Sequence, residues 1–179
     1  MNIILQRRRR NVSTALKIST LKHPLFEKIV VDNICAGIRG TLDQLGTFKT
    51  EFQPHFFASE WTVPTPISVV LNLKQNDHPL QVRFHFDPKP VIEILEGMIG
   101  DKVDPESQDI LDGVGEISNM IYGLIKTKAS GSGFQFGMSR PEACFTKNLP
   151  PSLHPNGQSL VIPFSVNGGI CHFEFIVFQ

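Results

Sequence analysis

The sequence predicts an α+β domain in which helices pack on a mostly antiparallel sheet. Apolar residues recur at helical spacing in an early segment and in two middle segments. Several shorter runs instead alternate apolar and polar residues, as half-buried strands do, and turn residues separate them. The resulting order is helix, strands, two helices, strands, which is typical of α+β folds.

The 179 residues suit one compact domain, predicted over residues 24–179, after a basic extension of residues 1–23. This extension holds six basic and no acidic residues, whereas the rest of the chain has 11 basic against 17 acidic ones. We expect a solvated tail. Contact of Arg7–Arg10 with nucleic acid or an anionic membrane is the alternative, and binding that falls steeply with salt would reveal it. We expect no nucleic-acid partner.

Composition excludes several other classes of protein. No apolar run approaches the length of a membrane span, and no apolar stretch follows the basic run as in a secretory signal. The 3 cysteines are widely scattered, which fits reduced thiols in a cytoplasmic protein. The histidines show no metal-ligand spacing, so we expect no metal site.

The first predicted elements are a helix and a hairpin. Pro24 is expected near the start of a helix that runs to about Leu45. Prolines interrupt residues 48–66, where a short strand over 51–57 is expected and Trp61 is expected to anchor the loop. Alternation over 67–73 and 80–86, around turn residues 76–79, predicts the hairpin.

Two helices and three strands complete the prediction. One helix is expected from Lys89 to Ile99, and a longer one from Asp104 as N-cap to about Lys126 or Lys128. Strands are expected near 133–139, 159–166 and 170–178, and Pro163 suggests that its strand lies at an edge or contains a bulge. Two histidines in strand patterns, His85 and His172, lack an obvious acidic partner and are interpreted as structural.

The longer helix has two sharply different faces. At about 100° per residue, Asp112, Glu116 and Asn119 fall within about 60° of one another. Its apolar residues lie on the opposite side and form a core stripe: Ile110, Val114, Ile117, Ile121 and Leu124.

Glycines flank the polar residues of this helix, although each costs roughly 1 kcal/mol of helix stability relative to alanine. Gly113 is expected to face a packed neighbouring element. We interpret Gly115 and Gly123 as a low, smooth surface on which another molecule docks, with close packing inside the protein as the alternative.

At this helix the sequence resembles the CheX/CheC/FliY phosphatases. Their pattern is Asp or Ser, three residues, Glu, two residues, Asn, and a later Pro after a Ser, which Asp112, Glu116, Asn119 and Pro141 match. Here 21 residues separate Asn119 from Pro141, one fewer than usual, so a shortened loop is implied. The resemblance is most specific over 104–147, follows the element order over 25–179, and implies a CheX/CheC-like fold.

The resemblance implies a phosphatase that binds a phosphorylated CheY-like response regulator and hydrolyses its aspartyl phosphate. Asn119 would position the attacking water, and Glu116 would pair with the regulator's lysine. Asp112, with Gly115 and Gly123, would contact the partner, and Pro141 would shape the chain beside the helix. The protein would need no cofactor of its own, because the regulator supplies Mg²⁺.

A single pair of this kind points to the CheX branch, since CheC-like members carry two. In the first helix Glu27 is followed three residues later by Val30, so no second pair exists there. CheX-like proteins typically form dimers through sheet edges, so the resemblance implies that this protein is a homodimer. The alternative is a non-catalytic relative, such as a flagellar switch component or a regulator-binding adaptor.

Overall fold

The computed structural model describes residues 23–59, 61–75, 78–151 and 157–178. Within these ranges the chain forms three α-helices and seven strands, with short 3-10 turns at Pro24–Phe26 and Thr146–Asn148. The helices are α1 Lys28–Leu45, α2 Pro88–Ile99 and α3 Gln108–Ser130. The strands are β1 Thr50–Phe52, β2 Phe56–Ala58, β3 Ile67–Gln75, β4 His78–Phe86, β5 Glu142–Phe145, β6 Gln158–Val166 and β7 Gly169–Val177.

All strands join one sheet in the order β1-β6-β7-β4-β3-β5, and β2 also pairs with β6. Every pairing is antiparallel, which confirms the predicted fold class. Two hairpins form the centre of the sheet. In the first, β3 pairs with β4 and Ile67 lies opposite Phe86. In the second, β6 pairs with β7 and Val166 lies opposite Gly169. The short strand β5 lies against β3 at one edge and follows directly after α3 and its loop.

One face of the sheet packs against α1 and α3 to form the core. Large apolar side chains from the central strands, among them Phe84 and Phe173, are fully buried there. The two helices approach closely, because a Cβ built on Gly37 of α1 would lie 2.9 Å from the backbone nitrogen of Ile125 in α3. These contacts hold α3 against α1 and the sheet, and they leave exposed the side of α3 that is turned away from the core.

Pro163 lies in β6, which has β7 on one side and β1 and β2 on the other. Its carbonyl accepts a hydrogen bond from the amide of Gln53, in the break between β1 and β2. The nitrogen and carbonyl of a strand residue point to the same side, so the missing N–H of Pro163 also faces this break. The sequence predicted that the strand of Pro163 lies at an edge or contains a bulge. In the structure, the strand beside Pro163 is interrupted instead.

The predicted helices and hairpins are confirmed, with three corrections. The single strand expected over 51–57 is instead two short strands, β1 and β2. The long helix begins at Gln108 with Ser107 as its N-cap residue, three positions after the N-cap expected at Asp104. The predicted strand over 133–139 is wrong, since this segment is irregular and the strand begins only at Glu142. The basic extension lies outside the described residues except for His23, and the role of Arg7–Arg10 stays a prediction.

The sheet face turned away from the helices carries a buried polar network centred on Glu174. This carboxylate accepts hydrogen bonds from Trp61 Nε1 at 2.8 Å and Ser159 Oγ at 2.6 Å, and it lies 3.3 Å from His85 Nε2. The interpretation of His85 as lacking an acidic partner is therefore wrong. Trp61 anchors its loop, as predicted, since its ring also packs against His172 with centroids 5.2 Å apart.

Hydrogen bonding fixes the protonation pattern of this network. Burial would raise the pKa of the Glu174 carboxyl, but hydrogen bonds from His85, Ser159 and Trp61 outweigh burial and lower that pKa. An ionised carboxylate only accepts, so His85 Nε2 carries the proton. Burial lowers the pKa of His85, and its Nδ1 accepts from Ser68 Oγ at 2.9 Å.

Candidate functional site

The candidate site lies on the exposed side of α3. Most apolar residues of α3 point into the core and are almost completely buried, including Val114 and Ile121. Leu124, which was predicted to belong to this core stripe, is only half-buried. Asp112, Glu116 and Asn119 lie on the opposite side and are exposed, as the sequence predicts. Because α3 continues through all three positions, the side chains follow one another at single-turn spacing along the helix.

The glycines of α3 divide into two groups. A Cβ built on Gly113 would lie 2.5 Å from two methyl carbons of Leu95 in α2, which confirms the predicted packing of Gly113 against a neighbouring element. Apart from the adjacent residues and the backbone of α3 itself, no described atom lies within 4 Å of a Cβ built on Gly115 or Gly123. Packing inside the protein therefore does not require glycine at these two positions.

The polar face of α3 forms one wall of a groove of about 520 Å³. The opposite wall comes from the segment that leads into β5. The predicted residues Asp112, Gly115, Glu116 and Asn119 meet there, whereas Gly123 lies one turn further along the helix, outside the groove. The full lining is Gln108, Leu111, Asp112, Gly115, Glu116, Asn119, Arg140, Pro141 and Ala143.

The groove residues differ in whether their polar groups already have hydrogen-bond partners within the protein. Asp112 accepts a hydrogen bond from Gln108 Nε2 at 2.8 Å, one turn before it. Within the described part of the chain, Glu116 and Asn119 make no side-chain hydrogen bond or ion pair. A carboxylate and an amide with free hydrogen-bonding capacity thus stand side by side, open to another molecule.

The second wall is fixed to α3 and to the sheet. Tyr122 Oη, on α3, donates to the carbonyl of Gly137 at 2.7 Å, and the amide of Gly137 donates to the carbonyl of Lys74 at 3.0 Å. Burial raises the pKa of Tyr122, so its hydroxyl stays a neutral donor. Five residues later Glu142 pairs with Val70 in β3, which ties down the other end of this segment.

Arg140 is the charged lining residue that the sequence analysis did not select as a site residue. The motif that led to Pro141 contains it, and its place directly before that proline was the available signal. Within the described residues no group of three or more His, Cys, Asp or Glu side chains could hold a metal ion. None of the described helices combines the length and apolar character of a membrane span.

Comparison with solved structures places this fold among chemotaxis proteins. A CheC-like superfamily protein from Shewanella sp. PV-4 superposes with a TM-score of 0.74 and 19% identity, covering 86% of this chain and 99% of its own. A CheX protein from Vibrio vulnificus gives a TM-score of 0.70 and 22% identity, covering 82% and 97%. CheX in a CheX–CheY–BeF₃–Mg²⁺ complex from Borrelia burgdorferi gives 0.65 and 17%, covering 84% and 98%.

The family model described as chemotaxis phosphatase CheX matches residues 67–165, more than half of the chain. This match includes α3 and every residue that lines the groove. The chain belongs to the CheX family of chemotaxis phosphatases, which confirms the resemblance found in its sequence. Comparison with curated protein sequences gives no match.

Proposed function

We propose that this protein binds a phosphorylated CheY-like response regulator and hydrolyses its aspartyl phosphate at the groove beside α3. The observation that carries the proposal is the exposed, unpaired pair Glu116 and Asn119 in a chain of the CheX family. The Borrelia burgdorferi protein of the same fold forms a complex with CheY, BeF₃ and Mg²⁺. That complex supports a CheY-like partner here.

In the proposed reaction, a water oxygen attacks the phosphorus in line with the bond to the aspartyl oxygen. The new P–O bond forms as the old one breaks, and the electron pair of the broken bond stays on the regulator's carboxylate. A proton of the water passes to the phosphate, so the products are inorganic phosphate and free aspartate. Asn119 holds the water by donating and accepting through its amide, which lowers the entropy cost of the attack at any ordinary pH.

Glu116, one turn before Asn119, pairs with the lysine of the regulator's active site. A charge-assisted hydrogen bond between these groups fixes the docking geometry. Asp112 makes a supporting contact one turn further back, with Gln108 already orienting one of its oxygens. Gly115 and Gly123 let the partner approach the backbone of α3, because neither carries a side chain and no described atom crowds the space above them.

Mg²⁺ comes from the regulator in this proposal, since its active site binds the ion beside the phosphoryl group. The protein itself contributes orientation and hydrogen bonding and no metal ligand. We also propose that it acts in the cytoplasm as a homodimer joined through a sheet edge. β5 and the strands β1 and β2 are the edges of the described sheet.

Dephosphorylation of a panel of phospho-regulators, with and without the protein, tests this function. We expect Asn119→Ala to fold normally, because the side chain is exposed, and to lose activity by at least about 100-fold. Asn148→Ala is the matched control, since Asn148 is also an exposed asparagine and lies outside the groove. Full activity of a folded Asn119→Ala protein would contradict the mechanism. Binding of a phospho-regulator without any turnover would instead identify a non-catalytic adaptor.

A further inference from the structure

The groove contains one positive charge, Arg140, opposite the polar face of α3. Its other charged lining residues are Asp112 and Glu116. Arg140 is exposed, and its guanidinium makes no ion pair or hydrogen bond with any residue in the described part of the chain. Neither acid of the groove neutralises it, so all of its donors remain available to a ligand.

The backbone around Arg140 limits where the side chain can reach. The segment is held at Gly137 by Tyr122 and Lys74, and again at Glu142 by pairing with Val70. Arg140 also precedes a proline, which restricts its backbone to extended conformations. The guanidinium therefore projects from a fixed wall and not from a free loop.

We propose that Arg140 contacts the phosphoryl oxygens of the docked regulator, as a further partner-binding residue of the site. The inference rests on the proposed function. A guanidinium binds phosphoryl oxygens through paired N–H donors and keeps its charge at every accessible pH. Negative charge spreads over these oxygens during phosphoryl transfer, so a cation placed here stabilises the transition state in addition to the bound state.

The test compares Arg140→Ala and Arg140→Lys with the wild-type protein in two assays. The first is turnover of a phospho-regulator at saturating concentration. The second is the Kd for the regulator with beryllofluoride and Mg²⁺, which mimic the phosphorylated state, and for the unmodified regulator. Lys89→Ala is the matched control, because Lys89 is an exposed cation on α2 outside the groove.

We expect Arg140→Ala to lower kcat about tenfold or more and to raise the Kd for the beryllofluoride form by a similar factor. The Kd for the unmodified regulator should stay within about twofold, and Arg140→Lys should recover part of the loss because it keeps the charge without the paired donors. Lys89→Ala should match the wild type in both assays.

Two results with an active wild-type protein would overturn this inference alone. A kcat within twofold of wild type would show that Arg140 does not reach the reacting phosphoryl group. An equal rise of Kd for both forms of the regulator would show that Arg140 contacts a part of the partner other than the phosphoryl group. A wild-type protein that dephosphorylates no regulator would instead overturn the proposed function, and the inference with it.

Discussion

Replacing Gly123 by leucine should make the protein more stable and less active. Gly123 lies in the middle of α3, and no described atom beyond its chain neighbours and the backbone of α3 lies within 4 Å of a Cβ placed there. The Cβ of a leucine therefore meets no neighbouring element, and leucine gains roughly 0.8 kcal/mol of helix propensity over glycine. For a domain of this size, that gain corresponds to a rise in Tm of about 2–3 °C.

The same leucine would project where the regulator is expected to approach α3. Forcing a bulky side chain into a packed contact costs about 1–3 kcal/mol, so binding should weaken roughly 5- to 150-fold. Turnover at low regulator concentration should fall by the same factor. Gly97→Leu is the control, because Gly97 is exposed and has equally open space above its Cα but belongs to α2 and not to the polar face of α3.

Thermal melting and dephosphorylation assays on both variants decide the matter. Gly97→Leu should gain stability and keep full activity. A lower Tm for Gly123→Leu would show that this glycine packs against the protein itself. Unchanged binding and turnover would show that the regulator docks on another surface, and the assignment of this face of α3 would be refuted.

Three further outcomes are expected. Glu116→Lys should weaken regulator binding, because it places a like charge against the regulator's lysine, and wild-type affinity in a titration at moderate salt would refute that contact. Removing residues 1–20 should leave dephosphorylation largely unchanged, whereas a large loss would give the basic extension a docking role. Burial and the neighbouring His85 lower the pKa of His172 from 6.5 to about 4. Below pH 6.5 the unfolded ring takes up a proton that the folded ring refuses until about pH 4, so stability should fall as the pH drops through this window. Glu174, with its lowered pKa, acts in the same direction at lower pH. The full shift of His172 corresponds to roughly 3 kcal/mol, which partial solvent access reduces to about 1–2 kcal/mol. Urea unfolding at pH 7 and pH 4.5 measures the effect, and an equally steep dependence in His172→Gln would contradict this assignment.

Local sequence patterns predicted most of the fold, and the errors have local causes. Asp104 carries the signal of an N-cap, but its carboxylate accepts from the amide of Glu106 at 2.9 Å and its carbonyl accepts from Ser107. These bonds form a turn that precedes the helix, and they use the same side chain–backbone chemistry as a cap. A sequence cannot distinguish the two arrangements when both are followed by helical periodicity.

Long-range pairing explains what the sequence could not provide. His85 and Glu174 are 89 positions apart and meet because β4 lies beside β7 in a register that places Arg83 opposite Glu174. Along each strand these polar residues alternate with apolar ones and resemble a solvent-facing side. The ring of Trp61 packs on that side, against His85 and His172. Arg140 reaches the groove for a similar reason. It lies just before β5, and the pairing of β5 with β3 at the edge of the sheet positions this segment beside α3.

The two polar clusters of this protein therefore have opposite relations to stability. The groove residues Glu116 and Asn119 are exposed and unpaired in the described chain. They lie on α3, whose position is already fixed by its apolar residues in the core. Removing either side chain should cost little folding free energy and much activity. Glu174 is buried and hydrogen-bonded on the far side of the sheet. Its loss would leave His85, Ser159 and Trp61 without their shared acceptor, so it should destabilise the fold before it affects the site.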